Sequence, residues 1–139
     1  MKADWSVDCV KAMMKHFVVP GVHFVYEGEV HDLDGYELWV EFRRIGPIFT
    51  RRHDDHLITL TLDFAVMELV TTSKNIYQSD KVIGELYTLC EQSIEVYPNV
   101  CFNLVSDVRV SPWGRVAIDS QVKQTTLEAT FQTEISDEN

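Results

Sequence analysis

Ile58-Thr59-Leu60-Thr61-Leu62-Asp63-Phe64-Ala65-Val66 alternates without interruption, with Ile58, Leu60, Leu62, Phe64 and Val66 on one parity and Thr59, Thr61, Asp63 and Ala65 on the other. Successive strand side chains point to opposite faces, so this run specifies a long strand with one face buried. Just upstream, Tyr36, Leu38, Val40 and Phe42 alternate with Glu37, Trp39 and Glu41, which predicts a half-buried strand paired to the first. Gly46-Pro47 is expected to break it and to form the tip of a hairpin. Further upstream, Val22 to Tyr26 reads as a short strand before the turn chemistry of His31-Asp32-Leu33-Asp34-Gly35.

Two stretches leave period two for the helical period. Val7, Val10, Met14 and Phe17 fall three and four apart behind Ser6 as N-cap, and Val19-Pro20-Gly21 ends that helix. Val82, Ile83, Leu86, Leu89, Cys90 and Ile94 form a second stripe behind a Ser79 or Asp80 cap, stopped by Pro98-Asn99. Phe102, Leu104, Val108 and Val110 then predict a strand up to Ser111-Pro112-Trp113-Gly114. In the last strand Leu127, Ala129, Phe131, Thr133 and Ile135 oppose Thr126, Glu128, Thr130, Gln132 and Glu134, and residues 136–139 are expected to be a loose acidic tail. The expected fold is α+β, one domain over residues 1–139. It has an antiparallel-rich sheet of about five strands with two helices packed on one face, in the order α-β-β-β-α-β-β.

The 139 residues carry 12 Lys and Arg against 22 Asp and Glu, a net charge of −10 that repels nucleic acid and anionic lipid. No sequence-specific nucleic acid and no membrane are therefore expected as partners. No apolar run is long enough to span a bilayer or to resemble a signal peptide, so a cytoplasmic setting is expected. Cys9, Cys90 and Cys101 are odd in number and lack CxxC spacing, which predicts buried reduced thiols. His53-Asp54-Asp55-His56 is the densest set of possible metal ligands, but two ligands do not make a site, and His16, His23 and His31 lie on other elements. G-x-S-x-G, GxGxxG and GxxxxGK[ST] are all missing. No catalytic residue, metal or cofactor is expected. The alternative is a small-ligand or metal-binding domain or enzyme with a pocket between sheet and helices, using His23, His31, His53 or His56.

The concentrated basic patch has more to say. Arg43 and Arg44 precede Gly46-Pro47-Ile48-Phe49, and Arg51 and Arg52 follow it, so 4 of 12 basic residues occupy ten positions. A symmetric hairpin would set residue 44 opposite 51, giving guanidinium groups for carboxylate or phosphate partners beside an apolar tip. Neutralisation by Glu41, Asp54 and Asp55 within the chain is the other reading. Trp39 lies on the polar parity, Ile48 and Phe49 in the expected turn and Trp113 in the Pro-Trp-Gly stretch. These are candidate interface anchors unless the second helix, or the sheet's far side, covers Trp39. The strand Thr126 to Ile135, with Thr130 and Gln132 on its polar parity, has no Lys or Pro to guard it and reads as an edge open to another chain or an added partner peptide.

The element order, the Tyr36-Glu-Leu-Trp-Val-Glu-Phe strand followed by the long strand from Leu57, and the closing Thr126-Leu-Glu-Ala-Thr-Phe-Gln-Thr-Glu-Ile strand together resemble the tail terminator (tail completion or neck) proteins of long-tailed bacteriophages. The resemblance is one of pattern over nearly the whole chain. It implies a protomer of a hexameric ring, placed in the virion at the tail-head junction after assembly in the host cytoplasm. Such a ring caps the tail tube, stops its polymerisation and joins it to the head connector, with no chemistry. The arginine loop would then meet acidic groups of a neighbouring protomer or tube protein.

Overall fold

The computed structural model describes residues 4–27, 36–52, 55–69, 78–115 and 122–136, with backbone only at 52, 55, 112–115 and 136. Their order is α1 (Trp5–His16), β1 (His23–Tyr26), β2 (Leu38–Arg52), β3 (Asp55–Leu69), α2 (Gln78–Cys90), β4 (Ile94–Tyr97), β5 (Val100–Leu104), β6 (Arg109–Arg115) and β7 (Val122–Ser136). The class is α+β, and the opening helix, three strands and helix match the expected order. Four strands follow where two were expected. The sheet runs β1-β2-β3-β7-β5-β4, with β6 beside β5 on the same edge of β7. All pairings are antiparallel except that of β1 with β2, which is parallel.

One face of the sheet carries the core. Val40 and Phe42 from β2, Ile58 to Val66 at every second position of β3, and Leu127, Ala129, Phe131 and Ile135 from β7 are all buried there. Cys9, Met13 and Phe17 at the α1 end and Val82, Leu86 and Cys90 from α2 join the same cluster, so both helices cover one face. The Phe17 ring lies 4.9 Å from Phe64 and 5.9 Å from Phe131, and Phe42 lies 5.5 Å from Phe64. Two polar ties fix the helices: His16 Nε2 bonds the Leu89 carbonyl at 2.8 Å, and the Tyr97 hydroxyl donates to Asp8 at 2.5 Å.

Several local expectations are corrected. β2 does not stop at Gly46-Pro47; it runs on to Arg52, absorbing both residues in a bulge between Ile45 and Ile48. Gly46 has φ +96°, and a Cβ there would sit 2.8 Å from the Ile48 amide nitrogen and the Thr59 carbonyl, so only glycine fits. Proline is tolerated because a bulge on an outer stretch of strand needs no ladder donor. The hairpin therefore turns beyond Arg52, setting Arg44 opposite Leu62 and Arg51 opposite His56.

At the helix ends, the N-cap position of α1 is Asp4, with no side-chain cap bond, and Ser6 lies inside the helix. Ser79 is likewise inside α2, buried. Ile94 begins β4, because α2 ends at Cys90, and Pro98-Asn99 forms the β4–β5 turn with Asn99 at φ +66°. The chain between β5 and β6 divides the expected 102–110 strand. Ser111-Pro112-Trp113-Gly114 lies within β6, where the register shifts. Residues 137–139 of the expected tail lie outside the described residues.

Candidate interaction surface

The sheet face away from the helices can be read row by row from the register. Arg43, Asp63, Glu128 and Arg109 lie in line across β2, β3, β7 and β6, with charges ordered plus, minus, minus, plus. In the next row Ile45, Thr61 and Thr130 are aligned, and the two threonine hydroxyls bond at 3.0 Å. Beyond them come Ile48, Thr59, Gln132 and Asn103, with the Gln132 amide donating to Thr59 at 3.2 Å. The result is a flat, uncharged polar strip bordered on the β2 side by two isoleucines. Ile45 is 62% and Ile48 53% exposed, unusually open for β-branched aliphatic side chains.

Those isoleucines stand where β2 loses its outer neighbour. β1 pairs only with Trp39 to Phe42, and from Arg43 to Arg52 no further described strand lies on that edge. The opposite situation holds for β7. It was expected to be the open edge, yet β3 flanks it along its whole length, and β5 and β6 pair with its other side between Lys123 and Gln132. Thr130 and Gln132 are therefore interior to the sheet and present a face, while on the β5 side the described pairing of β7 reaches only to Gln132.

The arginines do not converge on one tip. Arg43 pairs with Glu41 at 2.6 Å, while Arg44 pairs with Glu27 at 2.5 Å and donates to the Gly46 carbonyl. Both charges are thus answered within the chain, by Glu41 as one reading held and by Glu27, which none foresaw because it lies in another element. Arg51 is exposed. Arg52 belongs to β2, but its side chain lies outside the described residues, as do His53 and Asp54.

Of the aromatic anchors, Phe49 turns to the helix side, 5.5 Å from Trp5 and 4.8 Å from His56, and packs on the core. Trp39 is 7% exposed, buried with Ala65 and Met67 in a small second cluster on the far face, so the reading in which the sheet's far side covers it is the one observed. Trp113 lies in β6, its side chain outside the described residues.

A pocket between sheet and helices does exist. A cleft of about 460 Å³ separates the start of α2 from the start of β2, with Val19, Val22, Leu38 and Val82 among its apolar lining and Lys81 and Glu85 among its charges. Of the histidines expected to serve it, His23 and His56 are not among its lining residues. His23 stacks on Tyr36 at 4.4 Å, His56 is buried beside Phe49, and His31 and His53 are outside the described residues. Among the described residues no group of three or more His, Cys, Asp or Glu side chains is arranged to hold a metal. None of their helices is long and apolar enough to cross a membrane. Cys9 and Cys90 are buried free thiols; burial above all, helped by Asp8 and Glu91 respectively, pushes them from 9.0 up to about 11 and about 12, so neither is a ready nucleophile.

No protein-family model and no curated protein matches the chain. A solved structure aligns over 96% of this chain and 96% of its own, with 8% sequence identity and a TM-score of 0.53. At that identity the likeness concerns the fold alone.

Proposed function

We propose that this chain is a structural assembly protein of the phage tail terminator type. In that role it is a protomer that forms a ring with its own copies, caps the tail tube and joins it to the head connector. The observation that carries the assembly reading is the stretch of β2 that no other strand flanks among the described residues, where Ile45 and Ile48 stand exposed beside a flat polar face that none of the described helices covers. Unpaired strand edges and exposed aliphatics are what a partner chain covers. The specific assignment to a tail rests on the sequence pattern. On this reading the function is geometric: protomer contacts hold the ring, rotational closure limits it, and no substrate is transformed. A net charge of −10 suits a passage that DNA must traverse without sticking.

Light scattering of the purified protein, alone and mixed with tail-tube and head-connector proteins, tests the proposal. A closed oligomer, alone or on the tube, is expected; a monomer in every mixture contradicts it. A second reading, a small-ligand domain, is favoured by the cleft beside α2. Stoichiometric ligand or metal in the purified protein, lost on substitution of Lys81 and Glu85, would support that reading instead.

A further inference from the structure

Each helix turns a second face to water, and the two faces differ in charge. In α1 the buried Cys9, Met13 and Phe17 define one side, and exposed Val7, Lys11 and Lys15 lie diametrically opposite at 3.6 residues per turn. In α2 Val82, Leu86 and Cys90 are buried, and exposed Asp80, Gly84 and Tyr87 form the opposite stripe. Lys11, Lys15 and Asp80 enter no ion pair among the described residues, unlike Arg43 and Arg44. Gly84 is the feature a single chain does not explain. It stands in the middle of α2, where glycine weakens a helix relative to alanine. Its φ is not positive, and a Cβ there would meet nothing within 4 Å. Neither backbone conformation nor packing within the chain calls for glycine, whereas a second backbone approaching this face closely does.

We infer that α1 of a second copy packs antiparallel on this face of α2, with Val7 seated over Gly84 beside Tyr87 and Lys11 reaching Asp80. The inference rests on the self-assembly part of the reading above. Charge selects the occupant: on a chain of net charge −10, two unpaired lysines find a ready counterpart in the acidic surface of another copy. Spacing selects the direction. Val7 and Lys11 are four residues apart, as are Gly84 and Asp80, so an antiparallel approach matches both pairs one turn apart. A parallel approach with Val7 on Gly84 sets Lys11 on Thr88 and lays the two helix dipoles side by side in the same sense. Val7 and Tyr87, both open to water in the single chain, are covered together in this contact.

Sedimentation velocity on the full chain tests the contact, each variant being checked by circular dichroism. Gly84→Gln is expected to act in two opposite senses. It should raise the thermal midpoint of the dissociated chain by about 2 to 8 °C, since a good helix former replaces glycine, and weaken association by about tenfold or more, since its side chain fills the approach. K11E and D80K should each weaken association about tenfold, and the double variant K11E/D80K, which restores opposite charges, should recover it. Wild-type oligomers that persist in Gly84→Gln, or a double variant without recovery, would overturn the contact while leaving the assembly reading intact. Variants that lose binding to tail-tube subunits but keep their self-association would assign these faces to another protein, and overturn it too. A wild-type chain that stays monomeric at all concentrations would overturn the contact, and the mixtures with tail-tube and connector proteins then judge the assembly reading separately.

Discussion

Thiol chemistry gives the residue scale its sharpest tests. Because Cys9 and Cys90 hold their protons to about 11 and about 12 when folded, against 9.0 in the open chain, the native state binds more protons than the unfolded state above pH 9. Their contribution to stability is therefore whole below pH 9 and is lost as pH rises through 11 and 12. Denaturant midpoints should be flat across pH 7 to 8.5 with respect to these groups and fall on the alkaline side, less steeply in a Cys90→Ala variant. Titration with an aromatic disulfide at pH 8 should label Cys101, which is partly exposed, and reach Cys9 and Cys90 only after unfolding. Truncating Phe131, fully buried against Phe17, should cost about 3 to 5 kcal/mol in equilibrium unfolding. These burial assignments were legible wherever one period ran unbroken: every even residue from Ile58 to Val66 is buried, as alternation requires. Trp39 was ambiguous, because parity says which face a side chain takes and not whether that face is covered.

Elements were legible to the extent that local chemistry alone sets them. The existence of both helices and the cores of β2, β3 and β7 follow from periodicity, but their ends do not, nor does the face of α1, which buries Cys9, Met13 and Phe17 and leaves the expected Val7 exposed. Gly46-Pro47 is turn chemistry in isolation; here the glycine conformation and the close Thr59 carbonyl make it a bulge within one 15-residue strand. That single difference moved the hairpin tip beyond Arg52 and dispersed an expected arginine cluster, since Arg44 then meets Glu27 instead of Arg51. Gly46→Ala should accordingly destabilise the chain by about 1 to 3 kcal/mol, through positive φ and the two short backbone approaches, and should weaken amide-exchange protection at Ile45 and Ile48 first. Ile94 was read as helical because helix and strand both accept an apolar residue at that point; the turn at residues 91–92 decides it. The edge status of β7 could not be read at all, for strand order depends on pairings far apart in the chain.

At the scale of the whole molecule, a sheet with helices on one face leaves the other face and the strand edges to be accounted for. The polar strip of Thr59, Thr61, Thr130 and Gln132 is satisfied by its own hydrogen bonds, so it can remain in water without cost. The two isoleucines at the β2 edge cannot be accounted for that way, and burying them against another copy would stabilise an assembly by about 1 kcal/mol or more each. Association held by such contacts and by exposed charge should weaken as salt is raised from 0.05 to 0.5 M, in part and not wholly. Light scattering of the purified chain across concentration, alone and with tail-tube subunits, measures the central claim most directly. The account predicts a discrete mass that is an integral multiple of 16.0 kDa and does not grow further with concentration. A mass of 16.0 kDa under every condition would contradict it.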